Sequence, residues 1–375
     1  MTEKGKYKRT RGTRSEVVKQ VEESANEKIE KRVFTIDDLI PTGSTLLNLA
    51  CSDNPFGGYR KGKIVTAPGG SSSGKTIAVL STFADSNKLK RLKDYKFIYD
   101  DVEDALEFDM EYLFGKQVAK RIIAPQYDGK DPIFSDTIQD FKMNILRLCK
   151  EGQPFIYALD SLDALTSDEE LEKEFKKLVA KAKSDEALKE ITGSYKTEKA
   201  KIMGETLRMI KHNLAKNDSL LITVQQERDK IGATFGKKKT TSGGNAPFFY
   251  STHQTWYNRI QTLKSKGRKI GSRCKVEMTK NKLTGKLRDV EFDIFYDYGI
   301  DDIGSCVDFV ISEKHWSKPS AQTFDAKELG VTGSRSTIIN HIEKNNLEHD
   351  LQELTGKIWN EIEESLRLER KRRYE

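Results

Sequence analysis

The feature that most constrains this chain is the string Gly69-Gly70-Ser71-Ser72-Ser73-Gly74-Lys75-Thr76, which has the spacing G-x-x-x-x-G-K-[ST]. It follows an apolar run at 63–67 and leads into a helical pattern carried by Ile77, Leu80, Phe83 and Ala84. Strand, glycine-rich turn and helix in that order are the context such a loop requires. Glycines let consecutive backbone N–H groups wrap phosphates, and the positive end of the following helix adds to the attraction. Lys75 is then placed to reach β- and γ-phosphates, and the Thr76 hydroxyl to ligate Mg²⁺. All eight residues are expected to bind a nucleoside triphosphate, with ATP and Mg²⁺ as the expected ligands.

Further apolar runs at 96–99, 155–159 and 220–224 are continuous rather than alternating, as in strands buried on both faces of a parallel sheet. Helical patterns separate them, which predicts an α/β sheet flanked by helices on both sides. The runs at 274–278 and 290–295 alternate and predict antiparallel edge strands.

Several of these strands end in polar residues. Phe155-Ile156-Tyr157-Ala158-Leu159-Asp160-Ser161 delivers Asp160 at a C-terminal strand end, where α/β sheets bind ligands. Asp160 is expected to hold the Mg²⁺ shell through water. Phe97-Ile98-Tyr99-Asp100-Asp101-Val102-Glu103 offers three acids. One of them can orient or deprotonate an attacking water, or they can cap the next helix, and the residues alone leave both readings open. Val224-Gln225-Gln226-Glu227-Arg228 presents a glutamine able to bond a γ-phosphate. It runs into Lys230-Ile231-Gly232 and Lys237-Lys238-Lys239-Thr240-Thr241-Ser242-Gly243-Gly244-Asn245, a stretch that reads as a mobile basic loop. Its lysines and paired glycines can meet phosphodiesters, or the loop is plain surface. By spacing alone, Lys280-Asn281-Lys282 reads as solvated.

The chain has 375 residues, 36% of them hydrophobic, which allows a sizeable core and two to three domains. A formal net charge of +7 permits a polyanionic partner without requiring one. Cys51, Cys149, Cys274 and Cys306 lack metal-site or disulfide spacing, and the histidines do not cluster. No apolar run approaches the length of about 18 residues that a membrane span needs. The basic N-terminus is not followed by an apolar stretch, so a secretory signal is not expected either. The cytoplasm, of a bacterial cell or a phage-infected host, is the expected location.

Three segments are expected. Residues 1–37 carry a basic arm and a helix starting at Ser15, with Val17, Val18, Val21, Ala25 and Ile29 at helical spacing. Residues 38–310 form the core, with a charged helical insertion at 168–200. Residues 311–375 form a small C-terminal domain, which ends in the basic run Arg370-Lys371-Arg372-Arg373.

Together these elements resemble the RecA family of homologous-recombination ATPases, including its bacteriophage members, over residues 38–310. The resemblance is strongest at 220–250. There Lys230-Ile231-Gly232, Phe235-Gly236, Thr240-Thr241-Ser242-Gly243-Gly244-Asn245-Ala246 and Phe249-Tyr250 look like the family's second DNA-binding loop. It implies a RecA-like P-loop ATPase core, a mostly parallel twisted sheet flanked by helices, with an N-terminal polymerisation helix that packs on a neighbouring subunit. It implies a DNA-dependent ATPase that forms helical filaments on single-stranded DNA and exchanges strands with double-stranded DNA. A mediator or a single-stranded-DNA-binding protein is a further implied partner. Asp101-Val102-Glu103-Asp104-Ala105-Leu106 looks like the catalytic segment and selects Glu103. Gln226 matches the γ-phosphate sensor. Lys280 and Lys282 match lysines that enter the adjacent subunit's ATP site, which reverses the solvated reading. Met203-Gly204 and Arg208 look like the end of the first DNA loop and its following helix, and Arg228 and Ile231 belong to the second. The insertion and the basic C-terminal end depart from bacterial RecA. The adenine-stacking tyrosine has no clear match, Met110 and Tyr112 being nearest. A ring-forming helicase or translocase of the same fold, and a non-catalytic DNA-coating or mediator protein, are the alternatives.

Overall fold

A computed structural model describes residues 34–181, 195–229, 239–241 and 244–371. Residues 34–37 fall in a separate N-terminal unit, Met1–Asp37, and those from Asp38 onward in one compact unit. The arm and helix expected within 1–33, the middle of the insertion, and Lys230, Ile231, Lys237, Lys238 and Gly243 lie outside the described residues. Among the described residues, no helix is long and apolar enough to cross a membrane.

Among the described residues, the main sheet has ten strands. They are β1 (Ile64–Gly69), β2 (Lys96–Asp101), β3 (Ile122–Ile123), β4 (Phe155–Asp160), β5 (Leu220–Asp229), β6 (Lys239–Thr241), β7 (His253–Ser265), β8 (Arg268–Asn281), β9 (Val290–Phe295) and β10 (Gly299–Asp301). The order across the sheet is β10-β9-β8-β7-β1-β5-β4-β2-β3, with β6 paired to the far end of β5. From β7 to β3 all neighbours are parallel, and β8, β9 and β10 continue the sheet antiparallel. The parallel core and the antiparallel pairing at 274–278 and 290–295 agree with the sequence pattern, but neither strand is the edge expected there, because β8 lies between β7 and β9 and β9 between β8 and β10.

Period-two alternation gives the sheet two apolar faces. Val65 and Ala67 of β1, Phe97 and Tyr99 of β2, Ile156 and Ala158 of β4, and Leu220, Ile222 and Val224 of β5 face one cluster. Helices α1 (Thr45–Ser52) and α2 (Lys75–Lys88) cover that face through Leu46, Leu47, Leu49, Val79, Leu80 and Phe83. Ile64, Ile98, Phe155, Tyr157, Leu159 and Leu221 face the other way. They meet Ile138, Phe141, Ile145 and Leu148 of α3 (Ile138–Glu151) and Leu207, Ile210 and Leu214 further along the chain. An α/β/α sandwich follows, because every central strand is apolar on both sides.

The charged insertion contributes α4 (Asp168–Lys181). Its return limb merges with α5 (Tyr195–Lys216), a single helix that runs on past residue 200 into the core. Lys173 of α4 and Glu198 of α5 pair at 2.6 Å. After the short helix α6 (Ala246–Tyr250) and the antiparallel strands, α7 (Asp302–Ser312) begins a separate apolar cluster. Cys306, Val307 and Val310 of α7 pack with Trp316, Ile338, Ile342 and Leu351. Strands β11 (Ser317–Ser320), β12 (Thr323–Ala326) and β13 (Val331–Gly333) and helices α8 (Arg335–Asn345) and α9 (Glu348–Ser365) complete this region. The cluster therefore starts within α7, before residue 311.

Buried polar contacts fix this region to the core. Asp302 accepts from Thr45 N at 2.6 Å, Thr45 Oγ1 at 2.7 Å and Gln352 Nε2 at 3.4 Å, tying α1, α7 and α9 together. Arg288 donates to both oxygens of Glu363, at 2.5 and 3.0 Å, and Lys286 reaches Asp53 and Glu363 at 2.8 and 3.0 Å. Burial pushes the Asp302 carboxyl up to about 6, against the pull of its Thr45 hydrogen bonds. The folded state therefore binds this proton more tightly than the unfolded chain does. The ionised group costs stability above pH 6, and that cost disappears as pH falls through 6 towards the ordinary aspartate range. Relative to Asp302→Asn, the wild-type chain should gain up to about 3 kcal/mol between pH 7 and pH 4, measured by urea unfolding of both chains across that range.

Candidate nucleotide site and nucleic-acid interface

The glycine-rich loop leaves β1 at Gly69 and enters α2 at Lys75. Gly74 precedes the helix with φ +93°, a left-handed conformation, and a Cβ there would lie 2.3 Å from Ile294 Cδ1. At Gly69 a Cβ would lie 2.4 Å from the Tyr257 carbonyl oxygen, so β7 presses directly on the loop. Lys75 is buried, and its ammonium donates to the carbonyls of Gly69 and Gly70 at 2.9 and 2.6 Å. Burial lowers its pKa, while Asp160, Glu103, Glu227 and Asp163 act in the opposite direction. Among the described residues, Ser73 Oγ is buried without a hydrogen-bond partner, and the Ser73 carbonyl accepts from Cys274 Sγ at 3.1 Å.

Strand parity decides which acids face the loop. Asp160 lies on the α2 side of the sheet, where Thr76 Oγ1 and the Tyr99 hydroxyl each donate to its Oδ2 at 2.8 Å. Burial raises the Asp160 pKa, and these two hydrogen bonds oppose the rise. Asp100 points to the opposite face and accepts from Ser135 N and Oγ at 2.8 and 2.7 Å and from the Tyr157 hydroxyl. Asp101 caps the following turn, accepting from Ala105 N at 3.1 Å and Leu106 N at 2.9 Å. Glu103 is exposed within that turn, and its Oε1 accepts from the Ser161 hydroxyl and from Gln226 Nε2 at 3.0 Å.

Gln226 sits where β5 leaves the sheet beside Gly69. Its backbone N–H donates to Asp163 Oδ2 at 2.7 Å. β5 then continues as a ribbon with β6, Arg228 facing Thr240 and Asp229 facing Lys239. Gly244 and Asn245 are exposed where the chain returns. With Lys201, Gly204, Arg208 and Ala246, Asn245 lines an open cavity of about 500 Å³ at the root of this segment.

These donors suit a triphosphate with Mg²⁺. Lys75 supplies a buried cation, Ser73 a hydroxyl with unused capacity, and Thr76 with Asp160 a pair of hard oxygen ligands, the kind Mg²⁺ selects. The family model for the RecA N-terminal domain matches residues 13–301. The chain belongs to the RecA family. Protein RecA of Geobacter metallireducens is 30% identical over 284 residues, which cover 76% of this chain and 74% of that protein. Protein RecA of Solidesulfovibrio magneticus is 31% identical over 315 residues, 84% of this chain and 78% of its own length. For Protein RecA of Chlamydia muridarum the figures are 29% over 327 residues, 87% and 82%.

Within this RecA-family chain, Lys75, Thr76, Asp160, Glu103 and Gln226 converge. Lys280 and Lys282 do not join them. Gln254 pairs with Lys280 on one side and with Thr66 on the other, so these lysines lie at the opposite end of the strands from the loop. Lys280 donates to the Phe248 and Phe249 carbonyls and sits 4.6 Å from the Phe248 ring centroid. Met203 corrects an expectation. It is fully buried in the core, one turn before Leu207 within the unbroken helix α5, and has no surface with which to touch DNA. Its spacing with Leu207, Ile210 and Leu214 carries the helix through the place where a loop end was expected. Arg208 is exposed on the same helix. Of the adenine-stacking candidates, Met110 packs partly against the core and the Tyr112 ring is 68% exposed.

Tyr99, Ser161 and Asp163 were not anticipated as site residues. Tyr99 had a signal, since it shares strand parity with the α2-facing residues. Ser161 and Asp163 act from a turn, where no periodicity reports direction. Gly74→Ala would force a side chain into a left-handed conformation costing roughly 1–2 kcal/mol. It is expected to lower unfolding stability by about that amount and to weaken binding of a fluorescent ATP analogue, measured by denaturant titration and fluorescence anisotropy.

Proposed function

We propose that this chain is an ATP-dependent DNA recombinase. It assembles on single-stranded DNA as a helical filament and promotes homologous pairing and strand exchange with double-stranded DNA. The observation that carries this reading is the position of Gln226. Its side chain bonds Glu103 at 3.0 Å, and its own strand continues two residues later into Arg228 and the basic segment. A glutamine so placed can exchange its carboxylate partner for a γ-phosphate oxygen and move the DNA segment as it does so.

In this reading Lys75 and the N–H groups of residues 69–76 hold the phosphates. Mg²⁺ bound by Thr76, and through water by Asp160, would offset the negative charge of the triphosphate. Glu103 orients and deprotonates the attacking water, while Ser161 and Gln226 keep its carboxylate aimed. Lys280 and Lys282 act on the neighbouring subunit's nucleotide. Their distance from their own loop supports a role in trans, as does the Lys280 pKa. Partial burial and the adjacent Lys282 charge press that pKa down to about 8, so an anionic neighbour would restore its full charge. Arg208, Arg228, Lys239, Gly244 and Asn245 form the DNA contact set, together with Lys230, Ile231, Lys237, Lys238 and Gly243. Residues 15–33 would pack on the next subunit, with 38–310 as the ATPase core and 311–375 as its appendage.

Lys75→Ala should abolish nucleotide-dependent DNA binding, and retained strand exchange in that variant would sink the mechanism. Glu103→Gln should lower DNA-stimulated ATP hydrolysis about 10²- to 10⁴-fold while ATP binding persists, read from phosphate release and nucleotide titration. Electron micrographs with single-stranded DNA and a slowly hydrolysed ATP analogue should show open helical filaments. Closed rings would favour a translocase instead.

A further inference from the structure

Three groups meet at Asp163: the Gln226 backbone N–H, the Arg228 guanidinium and the Lys199 ammonium. Its side chain is 7% exposed. Oδ2 accepts the Gln226 backbone N–H at 2.7 Å. Oδ1 accepts no hydrogen bond among the described residues and lies 3.7 Å from the Arg228 guanidinium. The Asp163 carbonyl accepts from Lys199 of α5 at 3.2 Å. Asp163 is also three residues beyond Asp160, on the segment that carries Ser161 against Glu103.

A buried carboxylate needs compensation. Here one partner is the backbone of the sensor residue and the other is the arginine at the root of the DNA segment. Both contacts come from β5, two residues apart, so a movement of that strand would alter both. We infer that Asp163 is a positioning residue that couples the nucleotide sensor to the DNA segment, holding Gln226 in reach of Glu103 and holding Arg228 back from DNA. This inference rests on the proposed recombinase function. The guanidinium–carboxylate contact is long and Arg228 is largely exposed, so a DNA phosphate can displace it. The Gln226 bond is short and buried, so it sets where the sensor starts.

Two variants separate these contacts. Asp163→Asn keeps an oxygen for the Gln226 N–H but removes the charge facing Arg228. Asp163→Ala removes both. Without nucleotide, Asp163→Asn should bind a short single-stranded oligonucleotide about twofold to fivefold more tightly than wild type, and it should lose less DNA-stimulated kcat than Asp163→Ala. Asp163→Ala should share the affinity gain and lose about tenfold in DNA-stimulated kcat, with KM for ATP little changed. A merely structural role would not tighten DNA binding in either variant. Unchanged or weaker nucleotide-free binding by Asp163→Asn, where wild type does bind the oligonucleotide, overturns the role of Asp163 alone. A wild-type chain that binds no oligonucleotide with ATP overturns the recombinase reading itself, and this inference with it.

Discussion

The in-register parallel ladder through β1, β5, β4 and β2 is the constraint on which the site depends. Gly69 pairs with Gln226, Leu159 with Thr223, and Asp101 with Asp160. The glycine-rich loop, Asp160, the turn that carries Glu103, and Gln226 therefore all leave the sheet at one edge. Alternation then sorts them by face. Tyr99 and Asp160 turn to α2, where Thr76 waits, and Asp100 turns to α3. A one-residue slip in β4 would send Asp160 to the wrong face and leave Thr76 opposite an apolar side chain. The apolar residues on both sides of each strand make that slip costly, so the core that stabilises the fold also aims the chemistry.

The charge balance at this edge explains why the site suits a magnesium-bound triphosphate. Lys75 stands among four carboxylates, Asp160, Glu103, Glu227 and Asp163, all of which favour its charged form against burial. A bare triphosphate would meet a net negative surround. A divalent cation held by Thr76 and Asp160 would offset part of that negative charge. The protein's own hydrogen bonds keep Asp160 ready for this, since Thr76 and Tyr99 both stabilise its ionised form.

The sequence made the loop, the central strands and the flanking helices legible, because each is written in contiguous residues or a simple period. It did not by itself resolve the three acids of 100–103. That choice depends on strand parity for Asp100 and on the turn geometry that engages Asp101. Met203 went astray for a related reason. A short motif pointed to a loop end, while the longer period through Leu207, Ile210 and Leu214 made the same residues one buried helix face. The apolar cluster of the C-terminal region also draws on residues before 311. The composition changes near His315, but α7 already gives Cys306, Val307 and Val310 to that cluster. Asp163 had no signature at all, since its neighbours come from strands distant in sequence.

Strand β8 ties the two ends of the molecule together. Cys274 on this strand donates to the Ser73 carbonyl and so supports the phosphate loop. Lys280 lies six residues along the same strand, about 20 Å away in an extended chain. The pairing of β8 with β7 on one side and β9 on the other makes it a stiff member rather than a flexible tether. In the proposed filament, a shift at one subunit's phosphate loop would be felt by the lysines offered to the next subunit's nucleotide. Lys280 is held by the carbonyls of Phe248 and Phe249, in the helix that closes the basic segment. Nucleotide, DNA segment and neighbouring subunit would then share two strands, β5 for the coupling within a subunit and β8 for the coupling between subunits.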